Sequence, residues 1–234
     1  MSEIILVRHG QASFGADSYD KLSELGIEQV RILARHWESL GQRFDAVYSG
    51  DLLRQRETAS ELLHLAGADE PFIDPSFNEY NGDPLMRAYL QQHAREEEWG
   101  SSIDWPIRDH KLFQQVFEAA TARWIRGELQ PPDNESGFEA WVDFQQRVHD
   151  AIERVMSRHS GGARVLVSTS GGVIAMALQR ILKFPDAQVI ETNWMVRNSA
   201  VSRIKYGNGR ASMTQFNSLA HLEREDLQHL VTYR

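Results

Sequence analysis

The 234-residue chain has no cysteine, which removes disulfides, thiolate zinc sites and a cysteine nucleophile in one step. Positive charge is also short: 25 Lys and Arg stand against 33 Asp and Glu, a formal net charge of −8. That balance argues against a broad footprint for nucleic acid or an anionic membrane, so any phosphate site must be local. Long apolar runs are missing, so no membrane span is expected. Met1 to Glu3 lead straight into a short apolar stretch that ends at Arg8, unlike a signal peptide. A soluble cytoplasmic protein is the expectation. The histidines show no HExxH or comparable spacing, so no metal and no other cofactor is expected. Internal repeats and low-complexity segments are absent as well.

What is present is 41% hydrophobic residues, enough for the core of one large domain with or without an insertion. Residues 3–8, EIILVR, form the continuous apolar run of a strand buried in a parallel sheet. Ser23 then precedes a helical stripe of Leu25, Val30, Leu33, Ala34, Trp37 and Leu40 that ends at Gly41. FDAVYSG reads as a second strand, LLRQRETASELLHLAG as a helix stopped by Gly67, and PFIDP as a third strand. From about 83 to 135 the pattern turns helical, with PLMRAYLQQHAREEEWG and HKLFQQVFEAATARWIRGEL as two helices. Ser136 and Glu139 match a capping box, which predicts a long helix from there to about Ser160. ARVLVSTS is another buried strand, GGVIAMALQRIL a helix, and residues 198–217 two alternating runs around a Gly-Asn-Gly turn, a terminal hairpin.

Strands separated by helices predict an α/β domain with a mainly parallel sheet, and ligands in such sheets bind beyond the carboxyl ends of the strands. That rule gathers Arg8-His9-Gly10, the segment after Ser49, and Ser170-Gly171-Gly172. A histidine beside an arginine at a strand end suits attack on a phosphoryl group. The guanidinium offers a fork of donors to phosphate oxygens and disfavours protonation of the imidazole. Gly10 reads as the residue that lets the backbone approach the bound group.

At these residues the chain resembles the histidine phosphatase superfamily, which includes cofactor-dependent phosphoglycerate mutases and acid phosphatases. LVRHG looks like the family signature, and LSELGIEQ, with Gly26 and Gln29, looks like the stretch leading into its first helix. YSGDLLRQRETA is similar to its second phosphate motif, in which Arg54 is followed four residues later by Thr58. FNEYNGD and STSGGVIAMAL resemble the two later motifs. The resemblance implies a three-layer α/β/α fold, phosphoglycerate mutase-like, in one domain over 1–234, with the helical insertion at about 83–135 lying over the active site. It implies His9 as nucleophile, Arg8 and Arg54 on the phosphoryl oxygens, and Glu79 as the acid that protonates the leaving group.

Two departures bear on the chemistry. Where the family usually has a second histidine before its paired glycines, this chain has Ser170, as a weaker donor to the phosphoryl group or a plain helix cap. Gly171 joins the phosphate-binding set, and the amides of Gly171 and Gly172 are offered to the anion by the helix start. Family mutases tend to carry a hydroxyl residue three positions after the nucleophile and an asparagine six after it; here Ala12 and Gly15 stand there. The expected activity is therefore hydrolysis of a phosphomonoester through a phosphohistidine on His9, with reduced rate if Ser170 is a poor substitute. The alternatives are a mutase-like phosphotransferase and a non-catalytic module for phosphorylated ligands. The expected partner is a small phosphorylated substrate or a phosphoprotein, with no nucleic acid and no membrane.

Overall fold

The computed structural model describes residues 1–13, 20–93, 103, 105–132 and 136–233. The chain divides into two compact units, Met1–Glu79 with Val148–Arg234, and Tyr80–Arg147. The first unit holds a six-stranded sheet: β1 (Ser2–Arg8), β2 (Ala46–Ser49), β3 (Phe72–Ile73), β4 (Arg164–Thr169), β5 (Val201–Gly207) and β6 (Arg210–Ser218), in the order β3-β2-β4-β1-β5-β6. β1 to β4 run parallel; β5 pairs antiparallel with β1, and β6 with β5. The result is the expected α/β architecture with a mainly parallel sheet. The apolar run of β1 follows from its place, since a strand flanked on both sides and covered on both faces has no solvent-facing residue to make polar. The hairpin β5–β6 turns through Asn208 (φ 52°) and Gly209 (φ 71°), a two-residue turn whose left-handed geometry suits the twist of its strands.

Ile5, Val7, Val47, Leu166 and Val201 share one face of the sheet. Against them pack α1 (Glu24–Ser39) through Val30, Leu33 and Trp37, and the segment after β2 through Ala59, Leu62 and Leu65. Ile4, Leu6, Val165 and Val167 alternate onto the other face and are equally buried. α5 (Trp141–Arg158) ends on that face, where His159 meets the ring of Tyr48 edge-on. α6 (Gly171–Leu182) is buried along eight successive residues, and α7 (Ala187–Met195) follows it.

Three local expectations are corrected. The helix after β2, α2, covers only Leu53–Ser60; a 3₁₀ turn at Leu63–Leu65 follows before Gly67 (φ 62°) ends the segment. The tighter turn brings Leu62 and Leu65, three residues apart, into the same core. In α1 the stripe stops at Trp37: Leu40 is exposed, whereas the polar Gln29 is fully buried. α5 starts at Trp141 rather than at Ser136. Gly137 sits at φ 92°, outside the right-handed helix, and Glu139 pairs with Arg147 while its carbonyl accepts from the Trp124 indole.

The second unit is built on α3 (Gly82–His93) and α4 (His110–Ile125), the latter capped by Asp109, whose carboxylate accepts from Leu112 N. Residues 94–100, expected to prolong the first of these helices, lie outside the described residues. Trp124 anchors the unit, with Tyr80 and Trp141 each 4.9 Å away and Phe144 5.7 Å away, centroid to centroid. Such ring clusters bury large area with few side chains.

Candidate active site

The sheet register delivers the site. Arg8 lies opposite Thr169 and Ser49 opposite Ser168, so His9, Gly50 and Ser170 leave the sheet at one level. His9 N then bonds the Thr169 carbonyl at 2.9 Å and Gly50 N the Ser168 carbonyl at 3.2 Å, which fixes three loop origins against each other.

His9 is buried, and its Nδ1 lies 2.7 Å from the Gly10 carbonyl. A carbonyl only accepts, so Nδ1 carries the hydrogen and the lone pair of the neutral ring resides on Nε2. Burial, then the charges of Arg54 and Arg8, hold the His9 pKa well below the ordinary imidazole value, so the ring is neutral at neutral pH. Arg54 Nε donates to that Nε2 at 3.2 Å. Its Nη1 meets Asp20 Oδ1 at 2.5 Å, while Asp20 Oδ2 accepts from Leu53 N at 2.8 Å. Thr58 ties the pieces together: its Oγ1 accepts from Gly10 N at 3.1 Å and donates to the Arg54 carbonyl at 2.8 Å. The spacing of Arg54 and Thr58 is thus one helical turn that joins the arginine to the histidine loop. Arg8 Nη1 donates to the carbonyls of Val196 and Tyr233, the second at 2.9 Å.

Ser170 is fully buried and occupies the N-cap position of α6, yet its side chain makes no capping bond. Its Oγ instead accepts from Gln55 Nε2 at 2.8 Å, and Gln55 Nε2 also donates to the Phe77 carbonyl at 3.0 Å. With that lone pair engaged, the Ser170 hydroxyl has its own proton to give. The helix start is capped from elsewhere: Gly172 N donates to Glu79 Oε2 at 2.9 Å. The Gly172 amide expected to receive an anion is therefore engaged by a carboxylate, and Glu79 is fixed to the same helix that begins at Gly171.

Two glycines are required by packing. A Cβ on Gly10 would lie 2.3 Å from the Gly26 carbonyl oxygen, and one on Gly26 would lie 2.1 Å from that of Gln11, so two backbones meet with no room for a side chain. Gly171 is pressed in the same way by Asn193, whose Oδ1 would be 2.3 Å from an added Cβ.

Further residues support the site, of which the sequence reading singles out Gln29 alone. Asn198 Nδ2 and Ser199 N donate to the His9 carbonyl at 3.3 and 3.2 Å. Ser199 holds a left-handed φ of 56°, and its Oγ lies 2.8 Å from Nε2 of the buried His221. Gln29 accepts from Gln11 N at 2.9 Å and donates to Thr232 Oγ1 at 2.9 Å. Gln29, marked in the sequence by the resemblance of LSELGIEQ to the family, stands three residues after Gly26 and four before Leu33 on the buried stripe of α1. Nothing local in the sequence marks Ser199 or His221. Among the described residues no group of three or more His, Asp or Glu side chains is placed to hold a metal ion, and no helix is long and apolar enough to cross a membrane.

A family model for the histidine phosphatase superfamily (branch 1) matches residues 4–124 and 95–219. A metal-independent phosphoserine phosphatase of Arabidopsis thaliana is 28% identical over 195 residues, covering 80% of this chain and 71% of its own. A 2,3-bisphosphoglycerate-dependent phosphoglycerate mutase of Methylorubrum extorquens is 28% identical over 177 residues, 72% of this chain and 73% of its own. The structure of a phosphoserine phosphatase mutant from Entamoeba histolytica in complex with phosphoserine superimposes with a TM-score of 0.65 at 18% identity, over 95% of this chain and 100% of that one.

Proposed function

Because this chain belongs to branch 1 of the histidine phosphatase superfamily, we propose that it is a phosphatase hydrolysing a phosphomonoester in two steps through a phosphohistidine on His9. The observation that carries this reading is the fixed tautomer of His9, with Nδ1–H on the Gly10 carbonyl and the lone pair on Nε2 beside Arg54. In the first step Nε2 attacks phosphorus and the P–O bond to the alcohol breaks, the departing oxygen taking a proton from Glu79. In the second, water attacks the phosphohistidine, gives a proton to Glu79, and the N–P bond breaks to release orthophosphate. Arg54 moves its donors from Nε2 to the phosphoryl oxygens, which frees the lone pair as substrate binds; Arg8 adds a second positive charge to the same group. Ser170 donates its hydroxyl proton to a phosphoryl oxygen, and Gly171 at the head of α6 adds its amide. The substrate class is a small phosphorylated molecule, as in the phosphoserine phosphatase relative.

The mutase relative supports a second reading, transfer of the same phosphoryl group to an organic acceptor. Stimulation by a bisphosphorylated primer would mark it. The primary test is metal-free hydrolysis of an aryl phosphate, with alkaline quench and mass spectrometry to detect phosphohistidine. His9→Ala is expected to lose at least about 10³-fold in turnover and all covalent phosphate. Turnover retained in that variant overturns the assignment of the nucleophile.

A further inference from the structure

Arg54 does two things at once in this structure: it covers the lone pair of His9 through Nε and it holds the carboxylate of Asp20 through Nη1. Asp20 is not a fork-to-fork partner. One of its oxygens takes Arg54 at 2.5 Å, while the other is held at 2.8 Å by Leu53 N, at the start of α2. The pair is uneven in burial too, with the Arg54 side chain 14% exposed and that of Asp20 40%. A monodentate contact to a half-exposed carboxylate is weak, and a phosphate dianion can displace it. The nearby Glu57 carboxylate is committed elsewhere, accepting from Leu22 N at 2.7 Å.

We infer that Asp20 is a positioning residue that parks Arg54 on the nucleophile in the resting site and, anchored at Leu53 N, opposes the negative charge of a bound phosphate, thereby promoting its release. The argument has two parts. When a phosphoryl group draws Arg54 away, Asp20 does not leave with it, because the Leu53 amide retains the other oxygen. Its charge then faces the dianion, and like charges at such separations lower affinity. The same repulsion acts on substrate and on product, so the residue limits how tightly orthophosphate can inhibit. This inference rests on the reading of Arg54 as a phosphate ligand.

The test is titration calorimetry of inorganic phosphate against the wild-type chain, Asp20→Asn and Asp20→Glu. Asparagine keeps one acceptor, for Leu53 N, and puts an uncharged amide NH2 where the other oxygen met Arg54, so the charge and the hold on Arg54 are lost together. Asp20→Asn is expected to bind phosphate roughly three- to tenfold more tightly, with matching stronger product inhibition, while Asp20→Glu stays near wild type. A merely structural Asp20 predicts the opposite sign, since a disordered Arg54 binds phosphate less well. Should Asp20→Asn not fold, Asp20→Ser, a short uncharged acceptor for Leu53 N, carries the same comparison. Unchanged or weaker binding in the uncharged variants overturns the inference alone. Absence of phosphate binding in the wild-type chain and in the uncharged variants alike overturns the reading of Arg54 as a phosphate ligand and this inference with it.

Discussion

The two ends of the same sheet are built on different principles. At the carboxyl end, polar side chains are buried and committed: Ser168 Oγ donates to the Gln55 carbonyl and Thr169 Oγ1 to the Phe77 carbonyl, both at 2.7 Å, and Ser170 and Thr58 are engaged as described. At the amino end the organising group is a charge cluster, in which Glu3 meets Arg203 at 3.1 Å and Arg164 at 3.7 Å, the arginines being 19% and 37% exposed. Hydroxyls bonded to loop carbonyls fix loops in low dielectric, where a lost partner leaves a buried group unsatisfied. At the amino end the Glu3 side chain is only 11% exposed, but both arginines reach water and can be rehydrated when their partner is lost. Positional precision therefore resides where polar groups have exchanged water for named partners.

The comparison breaks first if glycine substitution costs the same at both ends. Gly10→Ala puts a methyl 2.3 Å from the Gly26 carbonyl oxygen, a backbone clash at the residue next to His9. The expected loss is more than about 4 kcal/mol by urea unfolding, with activity abolished. Gly161, just before β4, has φ 71° but nothing within 4 Å of an added Cβ. Gly161→Ala is expected to cost only about 1 kcal/mol, the strain of the left-handed backbone alone. Equal costs would show that conformational strain, and not backbone contact, governs both sites.

A smaller effect distinguishes the carboxyl end by pH. Burial, with the His36 charge second, pushes His221 down to about 3 from the ordinary 6.5. Between those values the unfolded chain binds a proton at His221 that the folded chain does not. Stability from this group is thus complete above 6.5 and is lost progressively as pH falls towards 3. His221→Gln keeps a polar atom for Ser199 and cannot titrate. It is expected to be about 1 kcal/mol less stable at neutral pH but to lose less in thermal midpoint down to about pH 4. Parallel acid profiles for the two chains would remove His221 as a source of acid sensitivity.

What the sequence made legible follows from the same contrast. Apolar runs and their punctuation recorded the six strands of the sheet, and the strand-end rule with the family resemblance nominated Arg8, His9, Arg54, Glu79 and Ser170, of which Arg54 contacts His9 directly. Periodicity reports which side chains avoid water, so it located β1 and α1 well. It does not report which polar atom meets which. The engagement of Ser170 by Gln55, of Gly172 by Glu79 and of Ser199 by His221 all join residues more than twenty positions apart and leave no periodic trace. The same holds for Gly10, whose role depends on Gly26 across the loop. The displaced start of α5 has a local cause, because Gly137 permits the left-handed turn that sets the capping box aside.

The smallest effect expected is at the amino end, with Glu3→Gln. The substitution removes the negative charge between Arg203 and Arg164 but keeps a side-chain oxygen of similar reach. Arg203 retains Gln215, whose Oε1 accepts from its Nε at 3.0 Å, and Arg164 is open enough to regain water. No arginine is stranded in a dry site, so the penalty of an unpaired buried charge does not arise. The expected cost is about 0.5 kcal/mol at low ionic strength, falling as salt rises, with turnover unchanged because the cluster lies at the far end of β1 from His9. Urea unfolding across a salt series checks the first part and steady-state kinetics the second. A cost that does not respond to salt would place Glu3 in a dry network like that of Ser168 and Thr169, and the distinction between the two ends would then be one of residue type, with solvent playing no part.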